Sequence, residues 1–83
     1  MLSHVTDLIG MTVYTDKGIV VGNVDDLIVD IDGLRIYGLY ISRTNSKLVE
    51  DGVAVSVPYG WIKAVGDVIL LRRFPQYVRK PKD

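Results

Sequence analysis

Short β-branched runs, punctuated at close spacing by glycine and turn residues, constrain this chain more than any other feature. The stretch TDKGIVVGNVDDLIVDIDG, Thr15 to Gly33, shows the pattern at its densest, with five aspartates and three glycines around branched apolar residues. Before it, MTVYT (11–15) has strand composition, and DKG (16–18) is a turn in which Gly18 is free to take positive φ, so a hairpin is expected. From Ile19 to Ile31 one long strand is expected, bent at Gly22. Leu27, Val29 and Ile31 would share a core face, and Ile28, Asp30 and Asp32 the opposite one. Asp32-Gly33 is a hairpin signal leading into LRIYGLYIS, a third strand broken at Gly38.

Residues 43–52 are polar and acidic and are expected to form a mobile loop. In VAVSV, Val53, Val55 and Val57 alternate toward the core, and Pro58 ends the strand. YGWIKAVG is expected to make a short helical turn before the last strand, DVILLRR. A capped turn with Ser3 as N-cap is expected at the start. Together these elements give an all-β domain, a small barrel of five to six bent strands or a small sandwich, over residues 1–74. Residues 75–83 follow as a flexible basic tail.

At 83 residues the chain is one domain with a modest core, and little is left for an enclosed cleft. The ten Lys/Arg and ten Asp/Glu cancel, but unevenly: residues 1–71 carry five cations against nine carboxylates, and residues 72–83 five against one. With no cysteine and a single histidine, His4, thiol chemistry, disulfides and Cys- or two-His metal sites are excluded. No stretch approaches the length of a membrane span, so a soluble, cytoplasmic protein is expected.

The aspartates do not fit a calcium loop. With Gly33 as the central glycine, the first and last ligand positions fall on Ile28 and Leu39. Gly18 and Gly22 precede a strand rather than a helix, which argues against a phosphate cradle, and Asp25 and Asp26, as strand neighbours, point to opposite faces and cannot share a proton. No serine has a histidine base within reason. The expectation is a non-enzymatic protein without cofactor or metal. Asp25 or Asp26 beside the Gly22 bend would then accept backbone donors that the bend leaves unpaired.

Two features suggest binding. Tyr59 and Trp61 in PYGW are the residue types that anchor interfaces, although Trp61 equally suits the plug of a barrel end. In RRFPQYVRKPKD, Arg72 and Arg73 neighbour Phe74 and Tyr77. The mixture suits RNA, an anionic membrane surface, an acidic protein groove, or a merely solvated tail. Small bent sheets with open edges also favour a homodimer.

In order, LIGMTVYTDKGIVVGNVDDLIVDIDG, GLYI and VPYGWIKAVGDVILL resemble the PRC-barrel family. They supply a Leu-x-Gly start, a turn glycine, Gly-x-Val-x-Asp on the bent strand, and Val-Pro before a final Gly-Asp-Val-Ile-Leu strand, from about Leu8 to Leu71. The resemblance implies a small β-barrel and no catalytic motif. It also implies a protein-binding module like those of the photosynthetic reaction-centre H subunit and the ribosome-maturation factor RimM. The likeness to stand-alone archaeal members, some of them cell-division scaffolds working with SepF, implies an adaptor with a SepF-like partner. An RNA- or ribosome-associated factor acting through the basic tail is the alternative.

Overall fold

The computed structural model describes residues 5–32 and 35–81. Seven strands follow one another: β1 (Thr12–Tyr14), β2 (Val20–Asn23), β3 (Asp26–Asp30), β4 (Arg35–Ile41), β5 (Val55–Pro58), β6 (Ile62–Val65) and β7 (Ile69–Leu71). Short 3-10 turns occupy Val5–Leu8, Glu50–Gly52 and Tyr59–Trp61. The expected Ser3 cap and the Gly33 turn position lie outside the described residues.

The strands form two sheets, ordered β2-β1-β7-β6 and β3-β4-β5. β1 and β7 run parallel, and every other strand pair is antiparallel. The expectation of an all-β domain holds, but with seven strands among the described residues rather than five or six. Among the described residues, strand pairing leaves two sheets and does not close them into one barrel. A core of Leu8, Val13, Val21, Val24, Leu39, Ile41, Leu48, Val49, Val57, Ile69 and Leu71 fills the space between them. Burial of these β-branched and leucine side chains is the main source of cohesion in so small a domain.

The stretch expected as one strand, Ile19 to Ile31, is divided between the sheets at Val24-Asp25. Gly22 matters as a point of close approach. A Cβ there would lie 2.6 Å from the Arg43 carbonyl oxygen and 2.7 Å from the Ile41 Cγ2. Gly38 does not break its strand either. It sits inside an unbroken seven-residue β4, where a Cβ would lie 2.7 Å from the Val57 carbonyl oxygen, so β5 can approach only because no side chain stands there. The irregularity falls beside it: Ile28 pairs with Gly38 but Val29 with Ile36, which leaves Tyr37 as the extra residue.

Pairing puts Leu27 opposite Leu39 and Val29 opposite Ile36, on the core side as expected. The core stops short of the hairpin end, however, and Val29 is 52% exposed and Ile31 80%. Their expected core role is therefore corrected: of the three residues, only Leu27 packs against the core.

Two further expectations differ. Lys63 and Ala64, assigned to a helical turn, belong to β6, which forms a hairpin with β7. Only Tyr59–Trp61 is helical, so the turn precedes the last two strands rather than the last one. The 43–52 segment, expected to be mobile, is tied down at several points. The Asn45 amide N–H donates to the Val21 carbonyl (2.8 Å) and its side-chain Nδ2 to the Val20 carbonyl (2.9 Å), covering the outer edge of β2. Leu48 and Val49 are buried beneath it.

Candidate functional site

Trp61 closes the 3-10 turn after Pro58 and turns inward, half-buried against the core. Phe74 meets it edge to face, with ring centroids 6.4 Å apart and planes at 87°. Such a pair adds roughly 1 kcal/mol beyond its buried area. Arg72 belongs to the same corner: its N–H donates to the Trp61 carbonyl (2.8 Å) and its Nη2 to the Ile62 carbonyl (3.2 Å). Of the six residues singled out for partner binding, Trp61, Phe74 and Arg72 are thus brought together, and the two rings pack on each other. Arg73 beside them is exposed.

Tyr77 lies elsewhere, in a C-terminal segment that runs back along the body. The Val78 N–H donates to the Leu48 carbonyl (2.8 Å) and the Glu50 N–H to the Val78 carbonyl (2.7 Å), while Val78 packs against the core. The Lys80 N–H donates to Glu50 Oε1 (2.8 Å), and its Nζ lies 2.6 Å from Asp51 Oδ2. The Asp51 carboxylate, by hydrogen bond and charge, raises the Lys80 ammonium above its ordinary pKa. The Arg79 guanidinium carbon lies 5.6 Å from the centre of the Tyr77 ring. The segment expected to be a flexible tail is thus paired with residues 48–51 through Lys80.

Tyr59 points outward, at 42% exposure, near β4. There it adjoins a surface that the sequence did not single out. The outer side of the three-stranded sheet bears a shallow apolar groove lined by Ile28, Tyr37, Gly38, Ser56, Val57 and Pro58, and Tyr37 is 71% exposed. Alternation already placed Ile28 opposite the core face. What stayed hidden was the extra residue at Tyr37, which turns its ring outward.

Asp25 and Asp26 do different work. Asp25 Oδ2 accepts the Ser42 N–H (2.6 Å) and the Ser42 hydroxyl (2.8 Å), and these bonds, the backbone one foremost, hold its carboxyl below the usual range. Asp26 accepts only its neighbour, the Leu27 N–H (2.8 Å), among the hydrogen bonds described. The expected backbone-binding aspartate is therefore Asp25, and its donor comes from the end of β4. Among the described residues no three His, Cys, Asp or Glu side chains gather as metal ligands, and no helix is long and apolar enough to cross a membrane.

No curated protein matches the chain. The PRC-barrel domain family does, over residues 2–76. That span takes in both sheets, the Gly22 and Gly38 contacts and the Trp61–Phe74 pair, and the chain belongs to the PRC-barrel domain family.

Proposed function

We propose that this PRC-barrel domain is a non-enzymatic adaptor that binds a protein partner through the outer side of β3-β4-β5. The observation that carries the reading is the clustering of Ile28, exposed Tyr37 and Pro58 around one apolar groove, with exposed Tyr59 next to Pro58 in the chain. Tyrosines offer large contact area with few rotamers to freeze, and a groove gives them a complement. A single exposed apolar residue would carry no such meaning.

The test is capture of partners on immobilised protein, with a purified SepF-like protein as the first candidate. The double variant Tyr37→Ser/Tyr59→Ser should lose capture while keeping its melting temperature. Trp61→Ala should act instead by loosening the fold. Capture that survives the double variant rejects this face. Capture that vanishes only on removal of residues 76–83 would favour the tail-dependent RNA- or ribosome-associated alternative. A homodimer formed through an open sheet edge at β3 or β5 belongs to the same proposal, and a strictly monomeric mass by light scattering at high concentration would remove it.

A further inference from the structure

We propose that the surface around the β1-β2 turn is a second docking site, for an acidic segment of a partner protein that also carries an apolar side chain. Two adjoining depressions share Thr15 and Asp16 as a common wall. Lys63 and Arg72 border one and Lys17 and Lys47 the other. Between these cations lie Leu70, 40% exposed, and Ile19, 41% exposed.

Charge complementarity identifies the occupant. Among the described residues the cations in ion pairs are Arg35, with Asp30, and Lys80, with Asp51. Lys17, Lys47, Lys63 and Arg72 have no carboxylate of a described residue within ion-pair distance. Four such cations around one carboxylate, Asp16, leave this surface positive within an electrically neutral chain. Phe74, the one ring lining the site, is half-buried against Trp61, so the surface offers no series of exposed rings on which successive bases could stack. The apolar residues line depressions rather than a protruding wedge, which suits a side chain entering from a partner better than insertion into a bilayer.

The site is also held in shape. Thr15 Oγ1 accepts the N–H groups of Lys17 (3.1 Å) and Ile19 (3.2 Å), which fixes the turn. Arg72 is anchored on the Ile62 carbonyl through Nη2, and its other guanidinium N–H groups can meet a carboxylate. Less side-chain freedom is lost on binding as a result.

Fluorescence anisotropy on the full chain tests this with four probes: a labelled peptide alternating glutamate and leucine, its glutamine-for-glutamate analogue, a uridine oligoribonucleotide, and vesicles of phosphatidylserine and phosphatidylcholine. The glutamate peptide should bind, weaken as salt rises, and exceed the glutamine analogue by roughly tenfold. Its amide shifts should centre on Gly18, Lys63 and Leu70. Lys17→Glu/Lys63→Glu should abolish binding and instead accept a lysine-leucine peptide, with an unchanged melting temperature, because neither side chain bonds to the fold among the described contacts. Tyr37→Ser/Tyr59→Ser should leave the peptide affinity intact, so failure here and failure of the aromatic face are distinguishable. The proposal is overturned if neither peptide binds, if the two bind equally, if RNA or vesicles bind more tightly, or if the shifts fall on the Tyr37 face.

Discussion

Past Ile36 the β3-β4 hairpin carries Val29 and Ile31 out into water, whereas the C-terminal segment, rich in charged residues, lies paired against Leu48, Val49 and Glu50. Hydrophobicity alone would order these two regions the other way. What separates them is the surface each meets. Ile36 still packs against the core, but its partner Val29 and, beyond it, Ile31 are left exposed. The segment around Val78 finds unpaired backbone groups on residues 48 and 50, an apolar seat for Val78 and carboxylates for Lys80. Backbone donors and acceptors need partners wherever water is excluded, and they recruit a polar segment as readily as an apolar one.

The contrast can be broken most forcefully within the hairpin itself. Leu39→Ala, on the covered part of β4, should cost about 3 kcal/mol in denaturant unfolding because the core cannot collapse around the gap. Removing residues 76–83 should come next, with a loss of about 2 kcal/mol from the Val78 contacts and hydrogen bonds and faster amide exchange at Glu50. A truncated protein as stable as the full chain would place this segment with the hairpin overhang.

A smaller effect is expected at Asp25. Because its folded pKa is lowered, its contribution is complete above the unfolded pKa and is lost as pH falls through the folded one. Asp25→Asn should therefore lower the melting temperature at neutral pH and flatten the acid side of the stability profile, while Asp26→Ala should do less. Lys80, with its pKa raised, behaves in the opposite sense. Its share is complete below the unfolded pKa and disappears as pH rises through the folded one, so truncation should remove an alkaline decline. Least of all should change with Ile31→Ser: stability within about 0.5 kcal/mol of the parent, read from the urea midpoint.

What could be read from the residues follows the range of the interaction concerned. The Gly18 turn was legible because it is local: Asp16-Lys17-Gly18 closes on Thr15, with φ of 77° at the glycine. Gly22 and Gly38 were legible as special positions, and a register irregularity does fall beside each, at Val21 and at Tyr37, but the close approach of other segments was not legible. Their lack of a Cβ answers to Arg43, Ile41 and Val57, segments distant in sequence. Likewise a carboxylate serving the backbone near Gly22 was foreseeable, whereas its donor, Ser42, follows from β3-β4 pairing. Leu48 and Val49 were lost among polar neighbours, since two apolar residues make no period. At the candidate site, residue types drew attention to Tyr59 and Trp61, but their opposite orientations depend on the turn after Pro58. Tyr37 and the cations at 17, 47 and 63 become a surface only once the sheets are in place.

The parallel pairing of β1 with β7 constrains how the chain reaches its native state. β3, β4 and β5 are consecutive and can assemble from near neighbours, whereas the other sheet must wait until Val13 meets Ile69 across nearly everything between them. The early nucleus is therefore expected in the middle of the molecule, and mutations there should slow folding. Lesions in the first and last strands should instead hasten unfolding.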